Sequence, residues 1–376
     1  MNRSTRVDVI LGTRPEVIKL APVIAALRAA HVETRVIFTS QHRELAATSA
    51  SAFGLKPDLD LDLMTPGQSP SQLAARVLSS LDAYFANDPP GLVVVQGDTT
   101  TTMSAALAAF HRGIPIAHVE AGLRTDSPVN PFPEEMNRRL ATRLATLHCA
   151  ATEANRQALL RENVPAAGIH VTGNTVIDAL ASILADTSED VQPELAKAVA
   201  ARGNRLLLFT THRRENFGEP QREILSALRR IVEEHPDLEA AFPVHPNPLV
   251  LAAVAEHLPP HPRIHRLEPM DYPAFVRLLA ASHLVMTDSG GLQEEGPALG
   301  KPVLVLRTTT EREELIRSGG GLLVGVRCDD IVAAAGELLR DPALYQRMAV
   351  VRYPFGAAGA AERIARIIRR FITAGE

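Results

Sequence analysis

The chain has 376 residues, 46% hydrophobic and 22% charged, which is more than one ordinary core and fits a globular protein of two domains. A formal net charge of -4 excludes a general nucleic-acid surface, and the arginines gather in pairs (Arg138-Arg139, Arg213-Arg214, Arg229-Arg230) that suit a pocket for one anion. The two cysteines, Cys149 and Cys328, lie far apart in apolar surroundings, so neither a disulfide nor a metal-ligand spacing is expected and the compartment reads as reducing.

In chain order, short apolar runs alternate with alanine- and leucine-rich helical patterns, the βαβ signature of doubly wound parallel α/β sheets. The first strand, Val7–Leu11, is too short for a signal-peptide core. Gly12-Thr13-Arg14-Pro15-Glu16 then opens a helix whose exposed amides attract anions, with Arg14 adding a bidentate charge. Lys19 stands one turn further on the same face; it either joins Arg14 at the anion or is an ordinary surface lysine. The glycine-lysine spacing of a Walker loop is missing. Further strands are expected at Thr34–Thr39, Leu92–Gln96, Ile114–Val119 and Ile169–Thr172, with helices at Ala105–His111 and Glu134–Leu147.

The pattern loosens over Asp186–Pro193, and a second series follows: Leu206–Thr210, Leu238–Val244, Arg263–Leu267, His283–Thr287 and Pro302–Leu306, closed by a helix over Gly356–Phe371. Two successive doubly wound sheets imply two domains facing a shared cleft. No apolar run approaches the length of a membrane span, and the expected location is cytoplasmic.

Three carboxylates fall at element ends in one stretch: Asp98 after Leu92–Gln96, Glu120 after the next strand, and Glu134 at the start of a helix behind Pro133. The carboxyl ends of parallel strands form the ligand crevice, and carboxylates gathered there with arginines suit proton transfer on an anionic substrate. Alone, Asp98 reads as a helix cap and Glu120 as a solvated strand end. Their company favours function. Glu134 with Arg138, and Glu135 with Arg139, are spaced for i,i+4 ion pairs; the second pair reads as structural, Glu134 as the better catalytic candidate, and Asn137 as ambiguous.

In the second half, His212 in Thr211–Asn216 and His245 in Pro243–Asn247 occupy equivalent places after successive strands, a stronger signal than a lone histidine. Thr287-Asp288-Ser289-Gly290-Gly291 leads from a strand through a glycine turn into a helix, where phosphate can approach the backbone closely. Ser289 can hold that phosphate, and Glu294 or Glu295 suits ribose hydroxyls. Arg307 and Arg312 stand around the next strand end and offer further charge. Phe275 is either a base-stacking ring or a core residue.

Taken together, Gly12–Glu16, Gln41-His42-Arg43, Gly97–Thr100, His118–Thr125, Pro131–Asn137, Gly173-Asn174-Thr175, His212–Asn216 and Asp288–Glu295 resemble, in order and over nearly the whole chain, the non-hydrolysing UDP-N-acetylglucosamine 2-epimerases. The resemblance implies a GT-B-like fold of two Rossmann-type domains, residues 1–174 with 357–376 and residues 175–356, with UDP held mainly by the second. It implies a homodimer that interconverts UDP-GlcNAc and UDP-ManNAc with no cofactor and no catalytic metal. By motif match it places Asp98, Glu120, Glu134 and His212 in catalysis, to which the reading of the residues adds Arg138. It places Arg14, Phe275, Ser289, Gly291, Glu295 and Arg312 at the nucleotide sugar, to which that reading adds Lys19, His245 and Gly290, and the stretch that binds an activator in regulated members carries Gln41 and Arg43 here.

The implied chemistry is elimination of UDP to 2-acetamidoglucal and re-addition, because no carbonyl acidifies the C2 proton directly. Four departures stand out. Thr211 replaces a small residue before the histidine, Glu313 replaces a proline, and Ser318–Leu322 lacks a basic residue. Glu44 and Gly67 stand where activator-regulated members carry glutamine and arginine. The rival readings are a hydrolysing 2-epimerase, a GT-B glycosyltransferase and a sugar-nucleotide sensor.

Overall fold

The computed structural model describes residues 4–40, 49–65, 67–125, 127–129, 131–186 and 194–374. Its contacts divide the chain into two units, residues 1–181 with 355–376 and residues 182–354. From sequence the expected divisions were 174/175 and 356/357.

The first unit is built on seven parallel strands: β1 (Val7–Leu11), β2 (Thr34–Phe38), β3 (Leu59–Asp60), β4 (Leu92–Gln96), β5 (Ile116–Ala121), β6 (Leu147–Ala150) and β7 (Ile169–Val171). They lie in the order β3-β2-β1-β4-β5-β6-β7. Strand order reverses between β1 and β4, so both flank the switch point where such sheets bind ligands. β1 and β4 are buried along their full length, as expected of strands covered by helices on both faces. The helices are α1 (Arg14–Ala29), α2 (Pro70–Asn87), α3 (Thr100–His111), α4 (Glu134–Leu144), α5 (Glu153–Arg161) and α6 (Val176–Ala185).

The second unit repeats the plan with six strands: β8 (Arg205–Thr210), β9 (Leu238–Pro243), β10 (Ile264–Leu267), β11 (Leu284–Thr287), β12 (Val303–Val305) and β13 (Gly321–Leu323), in the order β10-β9-β8-β11-β12-β13. Its switch point lies between β8 and β11, where Thr210 and Thr287 are register partners and their hydroxyls meet at 2.6 Å. Its helices are α7 (Glu194–Ala201), α8 (Glu219–Glu234), α9 (Pro248–His257), α10 (Tyr272–Ala281), α11 (Gly290–Ala298), α12 (Glu313–Arg317), α13 (Cys328–Arg340) and α14 (Pro342–Met348).

The last helix, α15 (Ala360–Ala374), returns to the first unit. Its Ala361, Ile364, Ala365 and Ile368 join Val17, Leu20 and Ile24 of α1 in one buried cluster. Asp178 accepts from the Ala361 amide at 3.0 Å, and Arg363 Nε donates to the Thr172 carbonyl at 2.8 Å. No helix among the described residues is long and apolar enough to cross a membrane.

Three expectations are corrected here. The helix from Glu134 stops at Leu144 because Ala145 turns extended (φ -74°, ψ 146°), and the fully buried run Leu147–Ala150 is strand β6. Periodicity alone does not separate such a run from one more buried helical turn. The closing helix starts at Ala360, not Gly356, because Gly356 and Gly359 hold φ of 90° and 92°. The edge strands β3 and β13, two and three residues long, are too short for a pattern to register.

Candidate active site

At the switch point of the first unit, the turn after β1 carries Arg14, half-buried at the first position of α1. Glu16, two residues on and 1% exposed, ties this turn to the one after β4. One oxygen accepts from the Gly12 and Thr13 amides at 2.8 and 2.7 Å and from the Thr13 hydroxyl at 2.9 Å. The other accepts from the Thr99 and Thr102 hydroxyls at 2.6 and 3.1 Å. Burial pushes the Glu16 carboxyl up, and the bonds from Thr99, Gly12, Thr13 and Thr102 pull the other way.

Asp98 sits between those two hydroxyls' elements and α4. Arg138 Nε donates to its Oδ2 at 3.0 Å, and a second guanidinium nitrogen bonds the same oxygen. Asn137 Nδ2 donates to the Asp98 carbonyl at 3.0 Å. The Asp98 side chain keeps 25% of its surface exposed against 5% for Arg138, so the carboxylate still faces outward. Arg138 also reaches Glu135 at 2.9 Å. Glu135, fully buried, in turn holds Arg139 at 2.7 Å and the Thr125 amide at 3.1 Å. The expected Glu134–Arg138 partnership is thus replaced by Arg138 with Asp98 and Glu135. Glu134 stays half-buried at the first position of α4.

Glu120 belongs to β5, at a register shift between Val119 and Ala121 where it is the extra residue. Its φ is 63°, a left-handed conformation that costs a non-glycine residue roughly 1–3 kcal/mol and concentrates at functional sites. The bulge turns its carboxylate toward Lys19 Nζ at 2.6 Å and toward Gln96 Nε2. Lys19, buried in α1, therefore has a carboxylate partner within the unit. Because Gln96 and Val119 are register partners, Asp98 and Glu120 project from neighbouring strand ends.

In the second unit Asp288, fully buried after β11, organises the switch point. It accepts from the Thr211 hydroxyl at 3.0 Å, the His212 and Arg213 amides at 3.0 Å and Asn216 Nδ2 at 3.0 Å. Thr211, a departure from the family pattern, is thereby given a partner. His212 Nδ1 lies 3.4 Å from Asp288 Oδ1, and its ring stacks on His245 at 5.2 Å and 12°. Burial, with Arg213 and His245 adding to it, lowers the His212 pKa against the pull of Asp288. Burial lowers His245 too.

Ser289 caps α11, followed by Gly290 and Gly291. Arg312 Nε donates to Glu294 at 2.8 Å, and another of its nitrogens bonds Glu311. Arg307 joins Glu311 at 2.8 Å and Glu215 at 2.6 Å. Burial alone would raise the Glu311 carboxyl, but the charges of Arg312, Arg307 and Arg213 outweigh it and hold Glu311 below the usual range. A Cβ at Gly290 would meet the Arg312 guanidinium at 2.7 Å, whereas one at Gly291 would have nothing nearer than 3.9 Å. Glu295 accepts from the Tyr272 hydroxyl at 2.7 Å, and Phe275 lies half-buried one turn into α10. Glu313 pairs with Arg317, both exposed.

The structure brings Asp98 to Arg138, Glu120 to Lys19, His212 to His245, and Gly290 to Arg312. Gln41 and Arg43 lie outside the described residues. Sequence reasoning assigned no role to Glu16, Gln96 or Asp288. A polar residue ending an otherwise apolar strand was the available signal for Gln96, and the same position just past a strand was the signal for Asp288.

The family model for UDP-N-acetylglucosamine 2-epimerase matches residues 25–369. A Yersinia pestis UDP-N-acetylglucosamine 2-epimerase is 44% identical over 369 residues, spanning 97% of this chain and 98% of its own. A Bacillus subtilis enzyme of the same name is 42% identical over 364 residues, spanning 96% and 94%. The crystal structure of UDP-GlcNAc 2-epimerase from Neisseria meningitidis bound to UDP-GlcNAc superposes with a TM-score of 0.91 at 39% identity, covering 96% of this chain and 99% of that one. With its two doubly wound sheets of GT-B-like type and these relatives along its length, the chain belongs to the UDP-N-acetylglucosamine 2-epimerase family.

Proposed function

We propose that the protein interconverts UDP-GlcNAc and UDP-ManNAc by eliminating UDP and adding it back. One carboxylate of the first unit takes the C2 proton while the anomeric C1–O bond breaks and a C1–C2 double bond forms, giving 2-acetamidoglucal and UDP. UDP then re-forms the C1–O bond as a second acid delivers a proton to the other face of C2. The observation that carries this reading is the pair of carboxylates, Asp98 with Arg138 and Glu120 with Lys19, at neighbouring strand ends. Elimination and re-addition require two proton carriers, and each of these carboxylates is paired with its own cation. Glu134 is the third candidate carrier. Which one removes and which one returns the proton belongs to the coupled set rather than to a single group.

The second unit holds UDP in this scheme. Arg312, the Ser289–Gly291 turn and the start of α11 take the diphosphate, with Glu295 at the ribose and Phe275 beside the base. Arg14 and His212 stabilise the departing diphosphate. The crystallised Neisseria relative with UDP-GlcNAc bound supports the substrate class. Resemblance to the family supports a homodimer, which light scattering on the purified protein decides.

Proton NMR with UDP-GlcNAc in deuterated water tests the reaction. Deuterium at C2 with accumulating UDP-ManNAc is the expected result. Free ManNAc with UDP points to hydrolysis, and an untouched C2 proton overturns the proposal.

A further inference from the structure

The turn that carries Asp98 is tethered by groups from other elements. The Gly97 amide donates to the Val119 carbonyl at 3.0 Å, Asn137 holds the Asp98 carbonyl, and Glu16 holds the Thr99 hydroxyl at 2.6 Å. The Gly97 carbonyl is held as well. His118, fully buried in the middle of β5, meets it through Nε2 at 2.7 Å. A carbonyl only accepts, so the proton sits on Nε2 and the ring is the Nε2–H tautomer. The Nδ1 atom is buried without a partner among the described residues. An acceptor left bare in the core is a standing cost, which selects against this residue unless the Nε2 bond is worth more. Valine, isoleucine or leucine would fill the same strand position without that cost.

Gly97 itself has φ of 71°, so the peptide between it and Asp98 sits in a conformation that rotation about one bond would abandon. Rotating that peptide would swing the Asp98 carboxylate away from Arg138, the partner that faces it from α4. We propose that His118 is a positioning residue for Asp98: by donating Nε2–H to the Gly97 carbonyl it locks the turn that aims this carboxylate. The inference rests on Asp98 being one of the proton carriers above.

The test compares His118→Phe, which keeps a ring but removes the donor, with His118→Gln, whose amide nitrogen reaches a similar place. The expected result is a loss of kcat on the order of 10- to 100-fold in His118→Phe, with KM and UDP affinity within about threefold, because small misplacement of a reacting group is costly. Amide hydrogen exchange of the segment 97–103 should quicken in the same variant. His118→Gln should restore both.

Wild-type kcat and exchange in His118→Phe, equal losses in the two variants, or a fall confined to UDP affinity would each overturn the proposal. Should wild-type enzyme fail to exchange the C2 proton, the proposed reaction falls, and the amide exchange still decides whether His118 pins the turn. If His118→Phe does not fold, nitrogen NMR of the wild-type histidines decides. A neutral Nε2–H tautomer, assigned by its loss in His118→Gln, supports the proposal, and an Nδ1–H tautomer or an imidazolium at pH 7 overturns it.

Discussion

The two units share a strand order and place their polar residues at the same switch point, yet they balance charge in opposite ways. In the first, Asp98 faces outward with Arg138 buried behind it, and Glu120 pairs with a comparably buried Lys19. In the second, carboxylates are the support. Glu294 and Glu311 clamp Arg312, and Asp288 is consumed by hydrogen bonds from its own neighbours. One plan thus presents carboxylates in one copy and arginines in the other, which under the proposed function serve proton transfer and the diphosphate respectively. The difference lies in which sign of charge is buried second.

Removing the carboxylate from Glu120 should give the largest effect. Glu120→Gln is expected to lower turnover by about 10²- to 10⁴-fold, the usual contribution of a positioned acid or base, with UDP affinity unchanged. Turnover within threefold of wild type by the NMR assay would remove Glu120 from the chemistry.

Arg312→Ala reverses the pattern. UDP affinity measured by calorimetry should fall by roughly 2–3 kcal/mol, a charge-assisted bond's worth. Stability should also drop, because the buried Glu294 loses this cation while Glu311 keeps Arg307. Unchanged UDP affinity would break the assignment of the second unit.

The adjacent glycines sharpen the same point. Gly290→Ala forces the clamped Arg312 guanidinium aside and should lower both stability and UDP affinity. Gly291→Ala meets only Glu295 and Ser289, each at an ordinary 3.9 Å, so only UDP affinity should fall. Equal thermal destabilisation of the two variants would contradict this reading.

The smallest effect is on acid stability. Burial drives His118 down to about 4 from 6.5, and His283, on the second unit, likewise to about 4. In both, the folded state refuses a proton that the unfolded chain accepts, so stability is full above pH 6.5 and declines as pH falls toward 4. For His118, fully buried, the decline is worth about 3 kcal/mol, and for the partly exposed His283 less. Urea unfolding at pH 7 and pH 5 should show a pH slope that His118→Gln reduces. A slope that the substitution leaves intact would place the acid sensitivity elsewhere.

Much of this was legible in the sequence because it rests on local pattern. Buried strands such as Leu92–Gln96 announce themselves as apolar runs, and Asp98, Glu120 and Ser289–Gly291 stand where those runs end. What stayed hidden depends on contacts distant in sequence. Glu16 reaches Thr99 across 83 positions and Lys19 reaches Glu120 across 101, so neither partnership leaves a local trace. The Glu134–Arg138 spacing misled because a helix surface rule has no knowledge of Asp98 waiting on the next element. Strand β6 was hidden for a different reason, since a short buried run such as Leu147-His148-Cys149-Ala150 after a helix looks like its continuation.

The division of labour between the units is tested most directly in one variant, Asp98→Asn, by following C2 deuterium incorporation and UDP binding side by side. The account predicts that deuterium incorporation is lost while the UDP dissociation constant stays within about threefold of wild type, the change that about 0.6 kcal/mol produces. Incorporation at the wild-type rate, or UDP binding lost together with it, would contradict the assignment of proton transfer to the first unit and nucleotide binding to the second.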